Sequence, residues 1–327
     1  MTLHPLVVFI GGLIIILLGA EFVLRSASRI AAMLGIRPII IGLTVVSIGT
    51  SMPELAVGIT AVSEGYGSLA VGNIAGTNML NILFILGLSA ALKPLPLHQL
   101  SIKLDVPVMI GAAIILFMMA LDGEISRLEG VFLFISAIVY VIVLIRMSKK
   151  ESAVLKKEYE EEYSPSALLN KPGTLSIVGN SILLISGIGF SVLGANLLVD
   201  GAVDIALSLG ISDALIGLTI VAIGTSAPEL ATTIMATIKN DRDVAIGNLI
   251  GSSISNILVI LGLTTMASPN GIDVSSDIQW LDLPLAAAVA IACYPVFRSN
   301  KMVSRAEGIV FVTIYLIYLS SLILLRT

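Results

Sequence analysis

The chain has 327 residues, of which 57% are hydrophobic and 12% are charged, and its formal net charge is −4 at pH 7. Soluble domains carry about 25% charged residues, so this composition, with a mean hydropathy of +1.04, excludes an ordinary soluble domain. We therefore predict that the chain folds in a lipid bilayer, and we expect no nucleic-acid partner.

Apolar stretches of roughly 20 residues recur along the chain, and each can cross a hydrocarbon core of about 30 Å as a helix. We predict an all-α membrane protein with ten transmembrane helices. The predicted spans, in chain order, are 4–24, 38–63, 68–92, 104–121, 127–146, 176–199, 212–238, 244–267, 280–297 and 305–325.

The Lys and Arg residues are distributed unequally between the two sides of these spans. If the N-terminus lies outside the cell, 16 of the 18 Lys and Arg residues fall in inside segments, and only Arg127 and Arg326 fall outside. Because inside loops of membrane proteins carry an excess of Lys and Arg, this predicts a multi-pass protein of the cell membrane with both termini outside.

A duplicated unit is the most informative pattern in the chain. Residues 44–55, "TVVSIGTSMPEL", return at 219–230 as "TIVAIGTSAPEL", and residues 70–88 return at 245–263, again displaced by 175. This divides the chain into a first five-helix repeat (1–146), a cytoplasmic linker (147–175) and a second five-helix repeat (176–327). Since five is odd, we expect the two repeats to have inverted topology, as in many transporters.

Each repeat places a proline and a carboxylate inside an apolar span. Pro53 and Pro228 lack an N–H, so we expect broken helices near the bilayer midplane. Glu54 and Glu229 follow them directly, although an ionised side chain at this depth costs on the order of 3 kcal/mol. Two such carboxylates need a shared partner, and the repeat predicts that they meet.

Carboxylate oxygens and exposed main-chain oxygens are ligands for a hard cation. Thr50 and Thr225 lie one turn before the glutamates, on the same helix face. Ca²⁺ accepts six to eight oxygens in adaptable geometry, and two carboxylates neutralise its charge. Without Ca²⁺ the carboxylates repel each other, so the empty site should recruit Na⁺ or protons, which predicts antiport.

Further polar residues recur beside this motif. They form one stripe in each of the third and eighth spans and a group near each glutamate: Asn73, Thr77 and Asn81; Asn248, Ser252 and Asn256; Ser47 and Ser51; Ala222 and Ser226. Hydroxyl and carbonyl oxygens at these positions could bind monovalent ions. Alternatively, such residues only hydrogen-bond neighbouring helices, an alternative that is most open for Asn73 and Asn248. Glu21, near a span end, is interpreted as facing solvent or lipid headgroups.

The paired motifs "GTSMPEL" and "GTSAPEL", each followed by "GNIAGTNMLNI" or "GNLIGSSISNI", resemble the two alpha-repeats of the cation/calcium antiporter superfamily. The resemblance is strongest to the compact prokaryotic form of its sodium/calcium exchanger branch, and it covers the whole chain. It implies a transporter rather than an enzyme, with Ca²⁺ and Na⁺ as transported substrates, no cofactor, and a monomer as the functional unit.

The resemblance also implies a role for each motif residue. The Ca²⁺ ligands would be Glu54, Glu229 and the main-chain oxygens of Thr50 and Thr225. The flanking Na⁺ sites would use Ser47, Ser51 and Thr77 on one side and Ala222, Ser226 and Ser252 on the other, and Asn81 and Asn256 would close the central position. Transport would occur by alternating access, with the first and sixth spans sliding across a fixed core.

Three other functions are compatible with part of the pattern. A proton-coupled calcium antiporter has the same architecture, but its usual motifs place the acid after GN rather than after GTSxP. A passive cation channel fits polar residues at the midplane but not the inverted repeat. An intramembrane hydrolase could use two carboxylates, but no nucleophile or zinc-ligand pattern accompanies them.

Overall fold

The computed structural model describes residues 4–34, 36–150, 174–208 and 222–326. Its helices are α1 Pro5–Leu34, α2 Pro38–Thr50, α3 Met52–Ser63, α4 Gly67–Leu92, α5 Ser101–Asp122, α6 Arg127–Lys150, α7 Thr174–Ser208, α8 Ala222–Thr225, α9 Ala227–Ile238, α10 Arg242–Ala267, α11 Ile278–Asn300 and α12 Arg305–Arg326. Four two-residue strands lie in the connections: β1 Leu95–Pro96, β2 Glu124–Ile125, β3 Ile272–Asp273 and β4 Met302–Val303.

The described helices make this a multi-pass membrane protein. Eight of them are long and apolar enough to cross a bilayer, and the bent pair α2 and α3 makes a ninth. Of the predicted span 212–238, the first part lies outside the described residues, and the remainder forms α8 and α9. Most of the predicted linker, 151–173, also lies outside them.

Two predicted span ends are wrong by about ten residues. The first helix continues to Leu34 instead of ending at 24, and the sixth continues to Ser208 instead of ending at 199. Charged residues such as Arg25 suggested a loop, but the opposite face of the same turns carries Ala27, Ile30 and Ala31, which are buried in a cluster with α9 and α10 residues. Tertiary packing therefore extends the first helix.

The predicted helix breaks are present. A bend of 41° separates α2 from α3 at Ser51, and Ser226 interrupts the second repeat between α8 and α9. Pro53 and Pro228 each lie in the first turn after the break. Proline is well tolerated in a first helical turn, where its missing N–H would have no partner, so the chain restarts a helix there.

The two helices with the polar stripes occupy the centre of the bundle. In α4 and α10, 78% and 94% of the membrane-spanning residues are buried, against 28% in α1. Both helices contain a π-helical segment, Leu80–Leu86 in α4 and Asn256–Leu261 in α10. Such segments are rare and often occur at functional sites.

The helices α1 and α7 pack closely through glycines that are equivalent in the two repeats. Gly12 and Gly19 correspond to Gly187 and Gly194 at the displacement of 175. A Cβ atom built on Gly12 would lie 2.7 Å from the carbonyl oxygen of Gly194, and one on Gly19 would lie 2.7 Å from that of Gly187. This crossed pairing makes the two helices antiparallel, with backbones in direct contact.

Two short antiparallel ladders join connections from different repeats. β1 pairs with β4, with Leu95 opposite Val303. β2 pairs with β3, with Ile125 opposite Ile272. The connection between α4 and α5 therefore lies on the same membrane face as that between α11 and α12. The pairing of β2 with β3 likewise puts the α5–α6 and α10–α11 connections on one membrane face.

Substitution of Gly194 tests the α1–α7 contact. A Cβ atom at Gly194 would lie 2.6 Å from the Ile16 nitrogen, whereas one at Gly189 meets nothing within 4 Å. We expect Gly194→Ala to lower the free energy of unfolding by about 1–3 kcal/mol, as overpacking does, measured by thermal unfolding in detergent. Gly189→Ala should be neutral or slightly stabilising, because alanine favours helix. Equal effects of the two substitutions would contradict the contact.

Candidate cation site

The two motif glutamates lie in the interior of the bundle. Glu54 is in the first turn of α3 and Glu229 in the first turn of α9, and both are 0% exposed. The helix breaks explain this placement, because each carboxylate sits at a new helix N-terminus, where the helix dipole favours negative charge. Two ionised carboxylates in a low-dielectric interior repel each other, so the pair requires a counter-charge.

Serines hold the two carboxylates in a reciprocal arrangement. Ser51 Oγ donates to Oε1 of Glu229 at 3.1 Å, and Ser226 Oγ donates to Oε1 of Glu54 at 3.3 Å. Each serine lies at the break of one repeat and contacts the glutamate of the other. The two half-sites therefore meet across the repeat boundary, and the donors that approach the carboxylates are neutral.

Several buried polar atoms of the repeated motifs lack a hydrogen-bond partner among the described residues. They are Oε2 of Glu54, Oε2 of Glu229, both amide atoms of Asn81, Oγ of Ser252 and Oδ1 of Asn256. Buried polar atoms in folded proteins are nearly always partnered. All of these residues belong to the repeated motifs, and most of the atoms are oxygens, so the group has the composition of a hard-cation site.

Four of the remaining predicted site residues lie just before the two breaks, and Thr77 lies in α4. Thr50 ends α2 and is 0% exposed, and Thr225 ends α8. Ser47 is buried in α2, where its hydroxyl donates to the Thr44 carbonyl at 3.1 Å. Thr77, at 3% exposure, belongs to the α4 stripe, and Ala222 begins α8.

No group of three or more His, Cys, Asp or Glu residues that could hold a metal occurs in the part of the chain that the structure describes. The candidate site instead combines two carboxylates with neutral oxygens. Such a site suits a cation that binds and leaves, because transport requires affinity low enough for release.

Residues 4–146 and 180–324 match the sequence profile of the family described as sodium/calcium exchanger protein. The chain belongs to this family. Membership makes the chain a membrane antiporter of the cation/calcium class, for which Ca²⁺ and Na⁺ are transported substrates.

Curated relatives match over nearly the whole chain. The sodium/calcium exchanger MaX1 of Methanosarcina acetivorans is 31% identical over 97% of this chain and 98% of its own length. The inner membrane protein YrbG of Escherichia coli is 32% identical over 96% of this chain and 95% of its own. A candidate antiporter, CaxA of Alkalimonas amylolytica, is 36% identical over 94% of this chain and 95% of its own.

The fold is also similar to that of a solved exchanger. A structure of the sodium-calcium exchanger NCX_Mj, soaked with 2.5 mM Na⁺ and 0.1 mM Ca²⁺, superposes with a TM-score of 0.81 at 30% identity. The match covers 98% of this chain and 99% of NCX_Mj.

Asn248 of the exchanger has its side chain fully engaged. Its Oδ1 accepts a hydrogen bond from Thr50 Oγ1 at 3.3 Å, and its Nδ2 donates to Thr233 Oγ1 at 3.1 Å and to the Glu229 carbonyl at 3.5 Å. These bonds join α10 to α2 and α9. In contrast, Nδ2 of its equivalent, Asn73, has no partner among the described residues.

Sequence reasoning missed a tyrosine–aspartate hydrogen bond that occurs once in each repeat of the exchanger. Tyr140 Oη donates to Asp105 Oδ1 at 2.9 Å, joining α5 to α6, and Tyr318 Oη donates to Asp282 Oδ1 at 3.5 Å, joining α11 to α12. The available signal was the recurrence of "LDVP" at 104–107 as "LDLP" at 281–284. Its displacement is 177 rather than 175, which hides it from a search at one displacement.

Charged residues at the end of α9 tie the exchanger's first helix to its core. Lys239 forms an ion pair with Glu21, and Ser28 donates to Asp241. Burial raises the pKa of the Asp241 carboxyl, and the Ser28 hydrogen bond opposes that shift. The Glu21 side chain, interpreted from the sequence as solvated or headgroup-facing, is 31% exposed and also contacts the turn that follows α9.

The unequal bonding of Asn248 and Asn73 predicts unequal effects of truncation. We expect Asn248→Ala to lower the free energy of unfolding by about 1–3 kcal/mol, because it leaves buried threonine and main-chain groups without partners. Asn73→Ala should change it by less than about 0.5 kcal/mol. Thermal unfolding of the two variants in one detergent measures both, and a larger loss for Asn73→Ala would refute the asymmetry.

Proposed function

We propose that the protein exchanges Ca²⁺ for Na⁺ by alternating access through the site around Glu54 and Glu229. The supporting observation is the reciprocal bonding of two fully buried carboxylates by Ser51 and Ser226. Each repeat contributes one carboxylate and one serine, so a cation between the breaks would contact both halves of the molecule.

The charge of the site favours an exchange mechanism. No salt bridge to Glu54 or Glu229 occurs in the described ranges, so the carboxylates depend on bound cations or protons for neutrality. One Ca²⁺ or two Na⁺ would balance two negative charges in a low-dielectric interior. Because both loads use the same carboxylates, binding of one excludes the other.

The proposed ligands divide into a central and two flanking groups. The central group comprises Glu54, Glu229 and the main-chain oxygens of Thr50 and Thr225, with Asn81 and Asn256 closing the position. The flanking Na⁺ groups comprise Ser47, Ser51 and Thr77 on one side and Ala222, Ser226 and Ser252 on the other. All proposed ligands come from one chain, so a monomer is the proposed functional unit.

We further propose ten spans in two inverted five-helix repeats. Between β1 and β4 the chain passes through five long helices, which are α5, α6, α7, α10 and α11. The segment between α7 and α10 lies among them. The β1–β4 ladder puts both strands on one membrane face, so an even number of crossings between them is expected, which supports one further crossing between Ser208 and Arg242. The antiparallel glycine contacts of α1 and α7 support the same arrangement.

The proposed orientation follows from the even number of spans and the distribution of Lys and Arg. Both termini lie outside the cell, and the linker 147–175 between repeats 1–146 and 176–327 is cytoplasmic. The proposed mobile unit is α1 with α7. Their backbones contact each other through five glycines, the four described above and Gly201, so the pair can move as one body across the core.

A proton-coupled calcium antiporter is the second candidate. The observation that favours it is the absence of a basic partner for two buried carboxylates in the described ranges, since protons neutralise them as well as Na⁺ does. The position of the acids after GTSxP favours Na⁺.

Charge removal at either glutamate tests the site. We expect Glu54→Gln and Glu229→Gln each to reduce calcium uptake into sodium-loaded proteoliposomes at least about 100-fold, because removing one buried charge costs about 3–5 kcal/mol. Glu64→Gln, at an exposed position beyond the end of α3, should retain wild-type uptake. If Glu54→Gln or Glu229→Gln unfolds at the normal temperature and still exchanges calcium for sodium, the site assignment is wrong.

The driving ion is tested separately with wild-type protein. We expect an outward sodium gradient to drive radiolabelled calcium uptake at constant pH, and a pH gradient without sodium to drive less than about a tenth of it. Potassium is varied independently and should have no effect. Uptake driven by the pH gradient alone would establish the proton-coupled alternative, and flux that ignores both gradients would indicate a channel.

Cysteine labelling tests the orientation. In a Cys293→Ala background, which removes the only cysteine, Asn270→Cys and Lys301→Cys each place one thiol in an exposed connection. We expect a membrane-impermeant maleimide added to intact cells to label the first variant and not the second. Lysed cells, in which both should react, provide the control, and the reverse pattern would overturn the orientation.

A further inference from the structure

Asn78 makes a polar contact between the two repeats that the repeat pattern did not indicate. It lies in α4 beside Thr77 and is 6% exposed. Its Nδ2 donates to the main-chain oxygen of Ser253 in α10 at 3.0 Å, and its Oδ1 accepts from Nδ2 of Asn256 at 3.1 Å. Asn78 therefore bridges the backbone of α10 and the side chain of Asn256.

The chemistry of these groups orients both carboxamides. A main-chain carbonyl can only accept a hydrogen bond, so Asn78 must turn its N–H groups toward Ser253. The Asn78 side-chain oxygen then faces Asn256, and Asn256 must donate a hydrogen bond to it through Nδ2. The Asn256 oxygen is thereby held on the side away from Asn78, where it is buried and without a partner among the described residues.

The contact has no counterpart in the other repeat. Ser253 occupies the position equivalent to Asn78, and its hydroxyl donates to the Leu249 carbonyl of its own helix at 3.0 Å. Asn81, the equivalent of Asn256, has neither amide atom partnered within the described residues. One of the two central asparagines is thus oriented and the other is not.

No neighbouring side chain in the described lining can replace this bond. A cavity of about 10 Å³ lies beside it, which is close to the space of a single water molecule. Its described lining is apolar apart from Asn78 and Ser253, and includes Ile74, Met109 and Leu116. If Asn78 were truncated, the Asn256 carboxamide would be free to rotate and present N–H groups instead of oxygen.

We propose that Asn78 is a positioning residue that holds the Asn256 carboxamide with its oxygen, rather than its N–H groups, available to a transported cation. A cation requires an oxygen at that position, and an N–H group would repel it. The proposal rests on the proposed function, in which Asn256 belongs to the central position of the site.

Ion binding to purified protein tests this role independently of transport. Titration calorimetry with CaCl₂, and separately with NaCl, should give an apparent dissociation constant for at least one ion that is about fivefold to tenfold higher in Asn78→Ala than in wild type, the usual effect of losing one hydrogen bond. Asn78→Ser, which copies the residue of the other repeat, should behave similarly. Ser253→Ala is the matched control and should stay within about twofold, because it keeps the main-chain oxygen.

A double-mutant cycle separates positioning from general destabilisation. In an Asn256→Ala background, Asn78→Ala should change affinity by less than about twofold, because the group that it orients is gone. Losses that multiply in the double variant, or unchanged affinity for both ions in Asn78→Ala, would overturn the proposal. Wild-type protein that binds both ions but shows no exchange would instead refute the proposed function. The role of Asn78 in ion binding would then still be decided by the calorimetric affinities of its variants.

Discussion

Two carboxylates buried in a membrane interior, with neutral hydrogen-bond donors around them, constrain the rest of this molecule. Two ionised carboxylates at one site repel each other, and the serines that approach Glu54 and Glu229 supply dipoles but no charge. A protein that only needed stability would place apolar residues at these positions. Here the positive charge that neutralises the two carboxylates must come from solution. The folded core therefore depends on mobile cations, which is the physical requirement for an antiporter.

The fold meets this requirement by breaking helices where the carboxylates must converge. An unbroken helix satisfies its own backbone and leaves main-chain oxygens unavailable, whereas Pro53 and Pro228 free acceptors and create new N-termini under the glutamates. The polar stripes lie on α4 and α10, the two most deeply buried long helices. This burial shields the polar stripes from lipid, and the apolar outer helices face the bilayer.

The sequence predicted most of the helices and the residues that meet at the breaks, because duplication marks them twice. Pattern reasoning failed where the two repeats differ or where packing decides. Asn78 escaped attention because Ser253 occupies its equivalent position, and its importance depends on a contact between helices that no spacing reveals. The continuation of α1 to Leu34 was likewise hidden, since Arg25 and Arg29 suggest an end. The buried Ala27 between them, with Ile30 and Ala31 beyond, continues the helix.

The two ladders and the crossed glycines have a consequence for how the halves stay together. Each ladder pairs a strand from one repeat with a strand from the other, and the glycine contact of α1 with α7 also joins the two repeats. The two repeats are therefore held together by noncovalent contacts at both membrane surfaces and in the interior. Covalent continuity through residues 151–173 is not what holds the assembly, so a chain cut there would still be a single particle.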